Sequence, residues 1–266
     1  MRQLLVINVL CLLTACGGGG GGSTPTPTSP APIPAVDACT VLGATPSGTA
    51  ILNGSACAPE RSPVVLLNMR RNDGTPLGAC SGTVVGPRTI LTAAHCLDEG
   101  VQAVRVWLGP PNPEINAESW VFYPGYVFNR PDVYDVGVLF MSEDLPRTPV
   151  PVLTSRDARN GETAIVAGWG RDQNNAGATL RAGSTTLSGV GASLLETLYR
   201  PPSSSICSGD SGGPILLQEG GAWTIGGITS ATSDNICNTG TNFYQAVRQP
   251  NVRAFILEHV PAIPQR

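Results

Sequence analysis

An all-β fold is expected for most of this 266-residue chain, and three features of the sequence predict it. Glycine and proline number 32 and 24, and charged residues make up only 13% of the chain. The apolar residues fall in short runs divided by turn-forming residues, the pattern of strands rather than of long amphipathic helices. In chain order these runs are Val64-Val65-Leu66-Leu67, Val104-Arg105-Val106-Trp107-Leu108, Ala164-Ile165-Val166-Ala167 and Trp223-Thr224-Ile225. Asn251 to His259 instead suits one short closing helix, which gives His259 a structural place. About two hundred residues follow the leading segment, enough to bury two small cores and an interface between them.

The leading segment reads as an address. Arg2, an apolar run from Leu4 to Leu13, and Thr14-Ala15-Cys16 have the layout of an export signal too short to span a bilayer. Leu13-Thr14-Ala15-Cys16 resembles the bacterial lipobox. That resemblance implies that residues 1–15 are a lipoprotein signal peptide and that Cys16 carries the lipid. It also implies an outer-membrane anchor, because no Asp follows the cysteine, with the protein facing the periplasm or the cell surface. Gly17 to Gly22 and the Ser/Thr/Pro stretch to Pro34 cannot form a core, so they read as a linker. Fully extended, the chain from Cys16 to Cys39 reaches about 75 Å.

The chemistry is concentrated in three motifs. In Gly209-Asp210-Ser211-Gly212-Gly213-Pro214 the serine is flanked by glycines, which let a carbonyl approach the neighbouring backbone amides. Fixed N–H donors aimed at a developing oxyanion lower an acyl-transfer barrier by about 3–4 kcal/mol, and Gly209 and Ser211 are the natural donors. A serine hydroxyl needs a base beside it and a carboxylate to orient that base. The chain has two histidines, and His95, in Thr92-Ala93-Ala94-His95-Cys96, is the candidate base. Asp135, in Asp135-Val136-Gly137-Val138-Leu139, leads into an apolar stretch where an unpaired charge is costly, so it calls for a partner such as His95.

These motifs, in the order histidine, aspartate, serine, resemble the chymotrypsin/trypsin family of serine proteases. The match runs from about Ile51 to the C-terminus, about four fifths of the chain. The resemblance implies two six-stranded antiparallel β-barrels packed together, with a short C-terminal α-helix and a catalytic triad of His95, Asp135 and Ser211 supported by Ser230. It also implies a serine-type endopeptidase that hydrolyses protein or peptide substrates without a cofactor. Metal binding is not expected, because the cysteines suit disulfides better and the histidines lie far apart in sequence. The net charge of −3 gives no sign of a nucleic-acid surface.

Once Cys11 and Cys16 are set aside with the leader, six cysteines remain, an even number suited to an oxidising compartment. The resemblance pairs Cys80 with Cys96 and Cys207 with Cys237, and elimination leaves Cys39 with Cys57. Ile51-Leu52-Asn53-Gly54 resembles the N-terminus that family zymogens expose on cleavage. The expected cut is Ala50–Ile51, after which the Ile51 ammonium would pair with Asp210. Residues 16–50 would then be lipidated linker and propeptide, and 51–266 the protease domain. The Cys39–Cys57 disulfide would span the cut and keep the enzyme tethered.

By the same resemblance, aligned on the distances from Ser211 and Cys237, the specificity pocket falls to Ser205, Ile206, Ala231, Thr232 and Asn242. Ser205 takes the floor position where trypsin has Asp, so a buried Lys or Arg would lack compensation. Thr232 and Asn242 carry side chains where wide pockets of the family carry glycine. A preference for small or medium uncharged residues follows, and Ala50 satisfies it. The alternative is a catalytically silent, membrane-anchored lipoprotein that keeps the protease fold only for binding.

Overall fold

The apolar runs become strands of two closed barrels. The structure is a computed structural model that describes residues 37–49, 54–98, 100–128, 130, 134–172, 174–234 and 236–266. Its first elements are a single-turn helix, α1 (Ala38–Val41), and strands β1 (Pro46–Thr49) and β2 (Ser55–Cys57). Asp37 caps α1 by accepting the Cys39 N–H at 3.0 Å. Cys39 and Leu42 are buried, and Cys39 is joined to Cys57 with Cα atoms 5.4 Å apart.

Barrel one contains β3 (Val64–Arg70), β4 (Pro76–Gly86), β5 (Thr89–Thr92), β6 (Ala103–Trp107), β7 (Ile115–Phe122) and β8 (Gly137–Met141). Its antiparallel strands close in the order β3-β4-β5-β8-β7-β6. A 3-10 turn, Ala94–Cys96, follows β5 and carries His95. The apolar run at Val104 is realised as strand β6, in which Val104 and Val106 are buried and Arg105 between them is exposed.

Barrel two contains β9 (Thr163–Gly168), β10 (Arg181–Val190), β11 (Leu194–Leu198), β12 (Pro214–Glu219), β13 (Ala222–Thr232) and β14 (Thr241–Ala246). The order β10-β11-β14-β13-β12-β9 is closed by pairing of β9 with β10. Leu153, Val166, Leu187, Leu195, Ile215, Leu217 and Tyr244 fill its centre. Each such side chain, fully buried, stabilises the fold by about 1.5–3 kcal/mol. β2 extends this sheet by pairing Ser55 with Ala182 and Ala56 with Arg181.

The chain ends in α2 (Pro250–His259), with Pro at its start and the Gln249 side chain accepting the Val252 N–H at 2.8 Å. Val252, Phe255 and Ile256, at helical spacing, are its buried face. His259 bonds the Phe255 carbonyl at 2.9 Å, which accounts for it structurally. Trp169, just after β9, joins the two barrels. Its indole N–H donates to the Val64 carbonyl at 3.1 Å, and its ring lies 5.4 Å from that of Trp107.

Candidate active site

Barrel one supplies the histidine and the acid. β5 ends at Thr92 and the 3-10 turn swings His95 toward the stretch before β8, where Asp135 sits 2% exposed. Asp135 accepts the His95 backbone N–H at 3.0 Å through Oδ1, and its Oδ2 lies 2.8 Å from His95 Nδ1. The hydroxyl of Ser230, on β13 of barrel two, donates to the same Oδ2 at 2.6 Å. The Gln245 side chain accepts the Asp135 N–H at 3.1 Å. A buried carboxylate so surrounded is matched by donors, and it fixes the tautomer of His95 with the proton on Nδ1. Burial is the largest single influence on the imidazole and pushes its pKa down. The Asp135 charge and hydrogen bond, with the Asp98 charge, outweigh that, so the net direction is upward from 6.5.

Barrel two supplies the serine on a tightly bonded loop. The Asp210 N–H donates to the Cys207 carbonyl at 3.0 Å, Gly213 N–H to the Asp210 carbonyl at 2.9 Å, and Gly212 N–H to the Thr229 carbonyl at 2.8 Å. Arg171 N–H holds the Ser208 carbonyl at 2.9 Å. Gly209 and Gly212 adopt φ of +99° and +79°, which only glycine takes without strain. A Cβ on Gly212 would collide with the Thr92 hydroxyl and the Ser81 carbonyl. Among the described residues, the N–H groups of Gly209 and Ser211 have no acceptor. Two free amides at a serine are the donor type that an oxyanion requires.

Ser81, on β4, went unnoticed in the sequence. Its N–H donates to the Ser211 carbonyl at 2.7 Å and its hydroxyl to the Gly209 carbonyl at 2.9 Å, while the hydroxyl accepts the Trp169 N–H at 2.9 Å. Thr92 in turn donates to the Ser81 carbonyl at 2.8 Å. The serine loop is thereby seated against β4 and β5 of barrel one. Nothing in the Cys80-Ser81-Gly82 stretch signals this, since Trp169 and Gly209, which the Ser81 hydroxyl joins, are 88 and 128 positions away in the chain.

A cavity of about 510 Å³ opens beside Ser211, lined by Ile206, Cys207, Ser230, Ala231, Thr232 and Phe243 among others. A second, of about 230 Å³, is lined by His95, Asp135, Tyr126, Phe128, Ser230 and Ala231. The two cavities share Ser230 and Ala231 as lining residues. Of the predicted pocket residues, Ile206, Ala231 and Thr232 line the cavity. Ser205 and Asn242 are buried and bonded to one another, with Asn242 Nδ2 3.2 Å from the Ser205 hydroxyl and 3.1 Å from that of Thr197.

Asp210 is buried, and its two carboxylate oxygens accept N–H groups of Gly170 and Cys207, each at 2.8 Å. Burial pushes its pKa up to about 6 despite those bonds and the Arg181 charge. Among the described residues no cation forms an ion pair with it. Ile51, its predicted partner, lies outside the described residues, as does Cys16. The three predicted disulfides are all present: Cys39–Cys57, Cys80–Cys96 and Cys207–Cys237. Cys80 and Cys96 lie close to His95, but as a disulfide their sulfurs have no thiolate to offer a metal.

Comparison with known proteins agrees with this architecture. The trypsin family model matches residues 51–256. A chymotrypsin of Phaedon cochleariae is 30% identical over 193 residues, 63% of this chain and 69% of that protein. Chymotrypsin-C of Bos taurus is 27% identical over 217 residues, 71% of this chain and 81% of its own. The bovine chymotrypsin-like elastase family member 1 is 24% identical over 216 residues, with the same two shares.

Proposed function

This chain belongs to the trypsin family, and from that premise we propose that it is a serine endopeptidase working through His95, Asp135 and Ser211. The observation that carries this reading is the pair of acceptor-free amides, Gly209 and Ser211, at the serine. In the proposed reaction Ser211 Oγ attacks the peptide carbonyl while His95 Nε2 takes its proton. The tetrahedral oxyanion is received by the two amides. His95 then returns the proton to the leaving amine, and water repeats the sequence to release the acyl group. Asp135, held by Ser230 and Gln245, keeps the imidazole oriented and stabilises its cation.

The site is proposed to mature by cleavage between Ala50 and Ile51. Strands β1 and β2 pair with Thr49 opposite Ser55 and Gly48 opposite Ala56, so the bond to be cut lies in the connection of a hairpin. The state of Asp210 supports this. Its folded pKa of about 6 exceeds the ordinary aspartate value of 3.8, so the folded chain holds that proton more tightly. Its contribution to stability is therefore full below 3.8 and lost as pH rises through about 6, a penalty of about 3 kcal/mol at neutral pH. An ammonium arriving from Ile51 would relieve that penalty. The Cys39–Cys57 disulfide would retain the leading segment after the cut; the cut protein should then run as one species without reductant and as two with it.

For the cleavage preference, none of the described residues lining the cavity beside Ser211 is charged. Small or medium uncharged residues before the scissile bond fit such a site, and one of the matched relatives is named as an elastase. Residues 1–15 as signal peptide, Cys16 as lipidation site and 16–50 as linker and propeptide complete the proposal. Three disulfides suit an exported protein. Mass spectrometry before and after a fluorophosphonate tests the core of it. Label on Ser211 of a chain beginning at Ile51 is the expected result. A chain cut at Ala50 that takes no label would instead identify a silent binding protein.

A further inference from the structure

We propose that Ser81 is a positioning residue that holds the Gly209 amide in its oxyanion-binding direction, an inference that rests on the serine-protease reading above. The argument is an account of peptide planes. A trans peptide is rigid and carries its C=O and N–H on opposite sides, so fixing one fixes the other. The Gly209 N–H belongs to the peptide whose carbonyl, that of Ser208, is held by Arg171 N–H at 2.9 Å. On the other side of the Gly209 Cα, the next carbonyl is held by the Ser81 hydroxyl at 2.9 Å. Gly209, at φ +99°, is the one residue between these planes and the most permissive hinge in the loop. That next peptide is gripped at both ends, its Asp210 N–H donating to the Cys207 carbonyl at 3.0 Å and its carbonyl accepting the Ser81 hydroxyl; loss of the hydroxyl leaves one hold, and rotation about the Gly209 Cα would then tilt the Gly209 N–H.

The Ser81 hydroxyl is well suited to the task. It is fully buried, and its oxygen already accepts the Trp169 N–H at 2.9 Å. Its proton is therefore directed at the Gly209 carbonyl and has no competing acceptor in that bonding pattern. The same residue holds the Ser211 carbonyl through its backbone N–H at 2.7 Å. Ser81 thus grips the carbonyls on both sides of the Asp210–Ser211 peptide, which supplies the second oxyanion donor. Ala at this position would keep the backbone bond and lose both hydroxyl bonds, the one to the Gly209 carbonyl and the one from the Trp169 N–H, so it is the contrast between an oxyanion-forming and a non-forming ligand that singles out the Gly209 contact.

The test compares wild type with Ser81→Ala, both matured to the same N-terminus. An alanine-peptide anilide gives kcat and KM. A peptide aldehyde, whose adduct places an oxyanion between the amides, is compared with the corresponding peptide alcohol, which cannot form that adduct. In Ser81→Ala, kcat and aldehyde affinity should both fall about 10- to 30-fold, while KM and alcohol affinity stay within about twofold. Unchanged kcat and aldehyde affinity, or an equal loss of affinity for aldehyde and alcohol, overturns the inference and leaves the protease reading intact. Wild type that neither cleaves nor takes a fluorophosphonate overturns both. If Ser81→Ala fails to fold, Ser81→Cys, with similar volume and a weak donor, is read by the same criteria.

Discussion

The two walls of the cleft are built on different principles. On the barrel-one wall, His95 and Asp135 are held by side-chain bonds, through charge and hydrogen bonding to Ser230 and Gln245. On the barrel-two wall, the loop from Cys207 to Gly213 is held largely by its own backbone, with carbonyls and amides of Arg171, Ser81 and Thr229 as partners. The difference suits the roles proposed for each wall. A proton carrier needs a tunable pKa, which nearby charges provide, whereas an oxyanion site needs dipoles that do not reorganise during the reaction. Substitutions on the first wall should therefore change pH behaviour, and those on the second should change stability or rate without moving the profile.

The largest effect is expected where the walls meet. Ser211→Ala should reduce peptide hydrolysis by about a million-fold and abolish fluorophosphonate labelling, as read by single-turnover kinetics and mass spectrometry. Asp135→Asn should lower kcat by about ten-thousand-fold. It should also move the acid limb of kcat/KM downward. In the wild type that limb should lie above pH 6.5, because the raised His95 pKa keeps the imidazole protonated, and inactive as a base, to a higher pH. A limb unmoved by the substitution would contradict the barrel-one half of the comparison.

Gly212→Ala probes the other wall. It forces a side chain into a left-handed turn against Thr92 and Ser81, and should cost at least about 2 kcal/mol in denaturant unfolding, with little change in the pH profile of what remains folded. The smallest effect belongs to Ser230→Ala, which removes one of several bonds to Asp135. A loss of about tenfold in kcat is expected, with a measurable shift of the acid limb.

How much of this could be read from the chain follows the same division. The histidine, aspartate and serine announce themselves because each sits in a run of small residues or leads into an apolar strand, features local in sequence. The strands were legible as short apolar runs, among them the one that becomes β6. The clamps were not. Ser81 meets Gly209 from 128 positions away and Gln245 meets Asp135 from 110, and neither bond leaves a local mark. The pocket was legible only in part. A register shift between Thr229 and Ala231 on β13 accompanies a cavity lined by Phe243, while Asn242, named from its spacing, bonds to Ser205 and Thr197. Counting along one strand cannot reveal which residues of its partner will line the cavity, because the extra residue on β13 shifts its register with β14.

Trp169 carries a consequence of a different kind. Its indole is bonded to Val64 in barrel one, its ring lies near Trp107, and its amide is bonded to Ser81. An indole so placed is an optical gauge built into the joint. In a variant whose Trp107, Trp120 and Trp223 are replaced by Phe, its emission should stay blue-shifted while the barrels remain docked and move to the red when water enters between them.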